Sequence, residues 1–278
     1  MNETTQPTLR VATYNVHGCF GMDRRRSEDR IVRVIAELSA DIVGLQELDR
    51  NRRRSAGVDQ AGLIAEQLGW HRFFHPALRR GDEHFGNAIL SRYPLVLRRA
   101  GDLPGTAPFY CRENRGAISM EVETPLGLVH IINTHFGLGR SERLLQAQML
   151  TGTEWLGATL PKTPLIMFGD FNTLPGSRTH RALTKNLRDV RKLVQPTGPR
   201  GTFPTSLPRF AVDHIFINSA VRALRLVVHR TPLARMASDH FPLVCDLERA
   251  SDPEDKRLLH LKLLRLPFRL RAHRLTTS

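Results

Sequence analysis

The chain has 278 residues, of which 41% are hydrophobic and 24% are charged, so it contains enough apolar material for a large core. This composition excludes a mostly disordered or collagen-like chain. No run of about 18 uncharged apolar residues occurs, and the first ten residues lack the basic and apolar segments of a secretory signal. Three widely spaced cysteines fit neither a disulfide scaffold nor a CxxC metal site, so we expect a reducing, cytoplasmic location.

The chain is strongly basic, with 41 lysines and arginines against 27 aspartates and glutamates and a formal net charge of +14. Residues 249–278 hold eight of the basic and three of the acidic residues, so a charge of +9 remains in residues 1–248. A basic surface attracts polyanions such as nucleic acid, anionic lipid or phosphorylated small molecules. An arginine-rich genome is the alternative explanation, and the composition leaves both open.

Hydrophobic periodicity predicts strands that alternate with helices along the chain. The first strand covers 9–15, and Ser27 can cap the helix that follows. A strand over 41–47 and a helix over 58–68 come next, and a long helix is predicted over 140–156. The remaining predicted strands are 86–91, 95–99, 115–123, 127–135, 164–168, 212–218, 223–228 and 241–247.

About ten strands, several of them hairpin-like neighbours, argue against a purely parallel doubly wound sheet. We therefore predict an α/β (α+β) fold, a four-layer αββα sandwich with two mixed β-sheets packed face to face and helices outside. The predicted organisation is a flexible N-terminus (1–7), one domain (8–248) and a basic, Leu-rich C-terminal tail (249–278).

Carboxylates, amides and imidazoles cluster where the predicted apolar strands begin or end. Any one of them has the alternative reading of a turn former, because Asp and Asn commonly follow strands. As a set they occupy the positions at which α/β proteins usually assemble sites. These residues are Asn15, Glu47, His135, Asp170, Asn172, Asp213, Asp239 and His240.

The residue types of this set indicate a metal-assisted reaction. Carboxylates and amides supply hard oxygen donors without thiolates, and such donors suit Mg²⁺ or Mn²⁺. His135 and His240 can donate to a phosphoryl oxygen or protonate a leaving group. In a basic protein, this combination predicts hydrolysis of a phosphate ester by activated water.

Seven motifs in order make the chain resemble the endonuclease/exonuclease/phosphatase superfamily, which includes deoxyribonuclease I, exonuclease III, neutral sphingomyelinases and inositol-polyphosphate phosphatases. The resemblance covers residues 8–248, and within the superfamily the chain looks like small bacterial metal-dependent hydrolases. The motifs are TYNVHG (13–18), LQELD (45–49), GNAILSRYP (86–94), NTHF (133–136), GDFN (169–172), VDHIF (212–216) and SDHFP (238–242).

The resemblance implies a role for each matching residue on the metal side of the site. Glu47 matches the principal metal-ligating carboxylate, with Asn15 beside it and Asp239 as a further carboxylate. The implied cofactor is Mg²⁺, with Mn²⁺ as a substitute.

On the side of the attacking water, the resemblance implies that Asp170 orients or deprotonates the water and that Asn172 fixes the water and the phosphate. His240 would contact the phosphate with Asp213 as its partner, and His135 would help handle the leaving oxygen. Which group is the general base stays open.

Two softer matches, Asn87 and Arg115, fall where the family often places phosphate-contacting groups. A strand-end amide and a surface guanidinium are the alternative readings of these two residues. For Arg143 and Gln146 we expect a helix-surface role. His84, His130, His180 and His214 are expected to be structural or exposed.

The sequence thus predicts a divalent-metal-dependent phosphoesterase, with a phospholipid or lipid-headgroup ester at a membrane surface as one substrate class. An endonuclease or exonuclease acting on DNA or RNA is the alternative enzyme, and a catalytically silent phosphate-binding module is the alternative of another class. No obligate protein partner is inferred. The arginine clusters 24–26 and 52–54 follow site-bearing strands and are expected to line the mouth of the site.

The tail contributes a separate prediction. Residues 256–274 carry seven lysines and arginines, no acidic residue and a dense set of leucines. A basic stripe beside an apolar arc is typical of a helix at an anionic membrane surface, which would place the protein on the inner face of the membrane. A helix packed on the domain itself and a nucleic-acid-binding arm remain the alternatives.

Overall fold

The computed structural model describes residues 6–105, 113–156, 163–195 and 200–250, so the predicted tail segment 256–274 lies outside the described residues. Two sheets form its centre. The strands are β1 (Thr8–Asn15), β2 (Ile42–Arg50), β3 (His71–Arg80), β4 (Glu83–Ser91), β5 (Val96–Leu103), β6 (Arg115–Thr124), β7 (Gly127–His135), β8 (Leu165–Asp170), β9 (Arg188–Asp189), β10 (Asp213–Ile217), β11 (Val221–Val228) and β12 (Leu243–Arg249).

Each sheet has six strands and is mixed. The first has the order β11-β12-β1-β2-β4-β3 and the second β5-β6-β7-β8-β10-β9. Strands β1 and β2 are parallel, as are β7 and β8, whereas β10 and β12 run antiparallel beside them. The ends of the four parallel strands and the starts of β10 and β12 therefore lie at the same edge of the two sheets, which we call the catalytic edge.

Helices cover the outer faces of both sheets. Buried residues of α1, α2 and α7 belong to the core of the first sheet, and those of α3, α4 and α5 pack on the second. The predicted four-layer sandwich is confirmed. The helices are α1 (Glu28–Leu38), α2 (Gln60–Leu68), α3 (Arg140–Leu150), α4 (Thr153–Leu156), α5 (Arg178–Leu183), α6 (Val190–Leu193) and α7 (Pro232–Ala237).

The two sheets approach each other closely through small and polar residues in the motifs. A Cβ atom at Gly44 would lie 2.1 Å from the ring of Phe168 in the facing sheet, so only glycine fits at this position. Beside it, the Gln46 amide donates to Asn133 Oδ1 at 2.7 Å, and the Asn133 amide donates to Leu45 O at 3.0 Å. These buried hydrogen bonds join the sheets and fix their relative register.

Several elements differ from the prediction, which has no counterpart of β9, α6 or α7. Strand β3 has no counterpart in the prediction because Pro76 and several arginines break its hydrophobic alternation. It lies at the edge of the first sheet, where proline is tolerated. The single helix predicted over 140–156 is wrong, since the structure has α3 and α4 separated at Gly152. None of the described helices is both long enough and apolar enough to cross a bilayer.

Candidate active site

The residues predicted at strand ends converge at the catalytic edge. Asn15 ends β1 in the first sheet, and Asp170 ends β8 in the second. The Asn15 amide Nδ2 donates to Glu47 Oε1 at 2.9 Å and to Asp170 Oδ2 at 3.0 Å. One side chain therefore connects carboxylates that are held by different sheets.

The backbone at two of these residues is turned out of regular strand geometry. Glu47 has φ +63° and lies in a bulge of the β2–β4 pairing between Leu45 and Leu48, and Asn172 has φ +47°. Left-handed backbone costs a non-glycine residue about 1 kcal/mol, and it persists where the surrounding contacts impose it. At this bulge the two neighbouring side chains point to different sides. Gln46 points into the core, and Glu47 points toward the site.

Asp213 and His240 form a buried pair beside Asp170. His240 Nδ1 lies 2.9 Å from Asp213 Oδ2, and its Nε2 lies 3.6 Å from Asp170 Oδ2. Burial alone would lower the pKa of His240, but the carboxylates of Asp213 and Asp170 raise it to about 10. Its ring is therefore a cation at neutral pH and can donate a hydrogen bond to a phosphoryl oxygen.

Asp170 is almost completely buried, and this burial raises its pKa to about 6. Repulsion by the Asp213 carboxylate adds to the rise, whereas His240 opposes it. The backbone N–H of Asn172 donates to Asp170 Oδ1 at 2.9 Å and helps to hold the carboxylate in place. An ionised carboxylate with this pKa is a suitable acceptor for a proton from water near neutral pH.

His135 has a different environment. The Arg115 guanidinium donates to its Nδ1 at 3.1 Å, and its Nε2 lies 3.2 Å from the Asn172 amide nitrogen and 3.4 Å from Asp170 Oδ2. Burial lowers the pKa of His135 well below its usual range, and the positive charges of Arg115 and His240 lower it further. His135 is thus a neutral imidazole, whereas His240 is a cation.

This assignment leads to a prediction for His135→Ala. Because neutral imidazole is a poor acid, His135 is expected to stabilise a non-bridging phosphate oxygen and not to protonate the leaving group. We expect kcat/KM to fall about 30-fold for both p-nitrophenyl and alkyl esters of the same phosphate. A loss at least ten times larger for the alkyl ester would instead assign the leaving-group role implied by the resemblance.

The outer part of the site fits a divalent cation. Glu47 Oε2 and Asp239 Oδ2 lie 3.7 and 3.5 Å from His17 Nδ1, and all three side chains are reached by solvent. Among the described residues, no lysine or arginine forms an ion pair with Glu47, Asp170, Asp213 or Asp239. Four carboxylates with only histidines as charged partners leave a negative excess that a hard cation would neutralise.

Asn15 has a different part in this arrangement. Its Oδ1 accepts the His17 backbone N–H at 3.1 Å, and its Nδ2 faces the two carboxylates. A bond from this oxygen to a metal would have to compete with that hydrogen bond. The contacts of Asn15 are those of a residue that positions Glu47 and Asp170, and metal ligation by Asn15 stays a prediction.

Asn87 and Arg115, the two predicted phosphate contacts, are both buried. The Asn87 amide donates to Gly116 O at 2.9 Å, and Arg115 also pairs with Glu113 at 2.7 Å. Both side chains therefore make internal contacts that hold strands β4 and β6 near the site. Direct contact of either residue with a phosphate stays a prediction.

Two residues of α3 correct the expectation of a helix-surface role. Gln146 is completely buried and accepts the Gly137 N–H at 2.9 Å, and Arg143 is half-buried and donates to Leu138 O at 2.5 Å. Both residues fix the loop that follows His135. Their spacing of three residues just after that loop was the available signal, because i and i+3 lie on one face of a helix.

His17 was the site residue without a predicted role, although it lies within the TYNVHG motif. It begins three successive residues with left-handed backbone, His17, Gly18 and Cys19. Gln60 Nε2 donates to Gly18 O at 2.7 Å and fixes this turn from inside. This backbone conformation brings the His17 imidazole close to the carboxylates of Glu47 and Asp239.

A second buried group lies behind the site, where His180 and His214 contact Asp189 at 2.8 and 3.3 Å. His214 also reaches Thr173 O at 2.9 Å, which connects this group to the loop after Asp170. All three side chains are buried in the core, so His180 and His214 are not exposed, and the structural role expected for them stays a prediction.

The two-sheet fold brings carboxylates and histidines together at one edge, and Asp170, Asp213 and His240 among them could hold a metal ion. Residues 12–240 match the model of the endonuclease/exonuclease/phosphatase family, and the chain belongs to that family. Its members are hydrolases that act on phosphate esters and depend on divalent metal ions.

Relatives and solved structures agree with this assignment. The uncharacterized protein YbhP of Escherichia coli is 27% identical over 88% of this chain and 98% of its own length. Exodeoxyribonuclease III of Haemophilus influenzae is 25% identical over 60% of this chain and 58% of its own length. An endonuclease/exonuclease/phosphatase from Beutenbergia cavernae has the same fold, with a TM-score of 0.72 and 23% identity over 88% of this chain and 72% of its own.

Proposed function

We propose that the protein is a Mg²⁺-dependent phosphoesterase whose site includes all eight strand-end residues identified in the sequence. The observation that carries the proposal is the contact between the sheets, in which Asn15 links Glu47 to Asp170. Through this link Glu47, a proposed metal ligand, is a neighbour of Asp170, the proposed water-activating carboxylate. A divalent cation bound at Glu47 and Asp239 would supply Lewis-acid stabilisation of the phosphate charge.

The side chains of the protein account for the remaining steps. Asp170 accepts the proton of the attacking water, and Asn172 orients that water beside the phosphate. His240 donates a hydrogen bond to a non-bridging oxygen, and Asp213 keeps its ring charged and correctly oriented. His135 donates from Nε2 on the neighbouring side. Donors fixed in place before the reaction stabilise the charge that develops in the transition state.

For the substrate, we propose a phospholipid or lipid-headgroup ester at a membrane surface. The basic, Leu-rich sequence 256–274 supports this proposal, because each basic residue near an anionic leaflet contributes about 1 kcal/mol. This segment would also hold the protein at the inner face of the membrane.

A nuclease activity is the second candidate. The exposed arginines Arg24, Arg25 and Arg53 and the similarity to exodeoxyribonuclease III favour it. Phosphate contacts of this kind would make DNA binding fall steeply with salt.

A panel of substrates tests these proposals. With Mg²⁺ present, we expect the full chain to hydrolyse bis-p-nitrophenyl phosphate and phospholipid vesicles, and to turn over the vesicles at least about tenfold faster than plasmid DNA. His135→Ala is carried through the same panel, so that a contaminating enzyme is recognised by its indifference to the substitution. Faster turnover of plasmid than of vesicles would favour the nuclease, and no turnover of any ester would refute the phosphoesterase.

A further inference from the structure

Large apolar side chains are unevenly distributed over the surface. Twelve of them are exposed among the described residues, and six belong to segments at the catalytic edge. These six are between 43% and 56% exposed. We call them the apolar rim, and they are Met22, Leu138, Leu174, Leu207, Phe210 and Met236.

Two rim residues follow catalytic side chains directly. Leu138 lies three residues after His135, and Leu174 lies two residues after Asn172. The Asn172 amide donates to Phe136 O at 2.9 Å, so the two loops are joined where they leave the site. The exposed leucines therefore lie in the loops that leave the catalytic edge next to His135 and Asn172.

The segment 203–210 contributes two more rim residues on the His240 side. The ring of Phe203 lies 4.7 Å from the ring of His240. The backbone of Phe203 is paired with that of Phe210 by hydrogen bonds of 2.9 and 3.1 Å. The exposed Phe210 is thus paired through its backbone with Phe203, and the ring of Phe203 contacts His240.

The last two rim residues, Met22 and Met236, lie on the side of the proposed metal site. The backbone N–H of Met22 donates to Met236 O at 2.9 Å, which brings the two methionine segments together. Met236 lies three residues before Asp239, and Met22 lies five residues after His17. Unbranched methionines adapt to irregular apolar surroundings.

The same segments are positively charged. The segments 20–25, 136–140, 173–178, 203–210 and 232–237 contain a single acidic residue, Asp23, whose carboxylate is paired with Arg30 at 2.9 Å, and Asp239 of the site follows the last of them. Each of the segments also contains at least one exposed arginine. These arginines are Arg24, Arg25, Arg140, Arg178, Arg209 and Arg235.

We propose that the apolar rim and its arginines dock the catalytic mouth on an anionic lipid surface, where the site receives the phosphate ester of a lipid. This inference rests on the proposed phosphoesterase function and adds the surface that presents the substrate. Apolar side chains gain free energy in the acyl boundary while arginines pair with lipid phosphates. A nucleic acid also offers phosphates to the arginines, but its bases stack mainly on aromatic side chains, of which the rim has one, Phe210.

The rim lies at the opposite end of the first sheet from residue 250. Strand β12 begins beside His240 at the catalytic edge and ends at Arg249 at the opposite end of the sheet. Val96 and Leu128 lie at that opposite end and are 57% and 41% exposed, so they provide a matched control.

The experiment measures sedimentation of the full chain with phosphatidylcholine vesicles, with and without phosphatidylglycerol, in the presence of a chelator. The rim variant is Leu174→Ser with Phe210→Ser, and the control variant is Val96→Ser with Leu128→Ser. We expect the rim variant to bind anionic vesicles at least about tenfold more weakly than the control. Charge reversal by Arg24→Glu with Arg25→Glu should weaken binding only to vesicles that contain phosphatidylglycerol.

Equal binding of the rim and control variants would overturn the proposal, as would wild-type binding to an oligonucleotide but not to vesicles. Turnover is then measured with Mg²⁺ on a water-soluble ester and on a vesicle-borne ester. The rim variant should lower the ratio of vesicle-borne to soluble turnover at least about tenfold. If the wild type binds vesicles through the rim but hydrolyses neither ester, the phosphoesterase proposal fails and the docking surface stands.

Discussion

Asp170→Asn is expected to lower kcat/KM on a soluble phosphate ester by about a thousand-fold or more. The substitution keeps the size of the side chain but removes the charge that would accept a proton from water. It also introduces an amide NH₂ that must face the Asn15 amide or the Asn172 N–H, both of which are donors. The measurement is steady-state hydrolysis of bis-p-nitrophenyl phosphate with saturating Mg²⁺.

Asp246→Asn is a suitable control for this substitution, because Asp246 lies on β12 away from the site and pairs with Arg10 at 2.6 Å. We expect this variant to keep kcat/KM within about twofold of the wild type, since surface ion pairs contribute little. Thermal unfolding of both variants separates loss of activity from loss of fold. An Asp170→Asn enzyme within about tenfold of wild-type activity would show that Asp170 is not the proton acceptor.

The site illustrates what a sequence reveals and what it does not. Glu47, His135 and Asp170 were predictable because each interrupts an apolar segment, His135 and Asp170 at the ends of β7 and β8 and Glu47 three residues before the end of β2. The orientation of Glu47 was not, since it depends on a bulge between Leu45 and Leu48 and on left-handed backbone. A polar residue that breaks an apolar pattern signals a site, whereas the local backbone that aims it is set by tertiary contacts.

The contacts behind the catalytic side chains were predictable to different degrees. Strands β6 and β7 form a hairpin in which Ala117 pairs with Thr134, and this register brings Arg115 close to His135. The register could be read from the Thr124–Gly127 turn, so this pair was within reach of the sequence. The contact between the rings of Phe203 and His240 was not predictable, because a loop without periodicity gives no signal of where it packs.

The same distinction applies to the sandwich itself. The apolar segments predicted the strands of the two sheets. The adjacent Ile131 and Ile132 are both apolar because they point to opposite faces of β7 and pack in different layers of the core. Gln46 and Asn133 lie within recognised motifs, but their side chains form the contact between the sheets, in which the Gln46 amide donates a hydrogen bond to Asn133 Oδ1. Residues of one motif can thus divide between catalysis and packing, and only burial and hydrogen-bond partners tell them apart.

Glu47→Gln is expected to lower kcat/KM by about a thousand-fold at a low fixed concentration of Mg²⁺, with partial recovery at high Mg²⁺. Glutamine keeps an oxygen that can face the cation but removes one negative charge from a carboxylate whose ion-pair partners, in the part of the chain that the structure describes, are histidines. A hard divalent cation is held mainly by such charge. Removal of the metal from the wild type by a chelator should have at least as large an effect, and Mn²⁺ should restore activity in place of Mg²⁺.

Metal binding is measured separately from turnover by the shift of the thermal unfolding midpoint with added Mg²⁺. A ligand that binds the folded state raises this midpoint, so the wild type should show a concentration-dependent rise that Glu47→Gln loses. Glu123→Gln provides the control, because Glu123 is exposed near the turn at the opposite end of β6. Full hydrolysis by the chelated wild type, or an unchanged midpoint shift in Glu47→Gln, would contradict a metal site at this carboxylate.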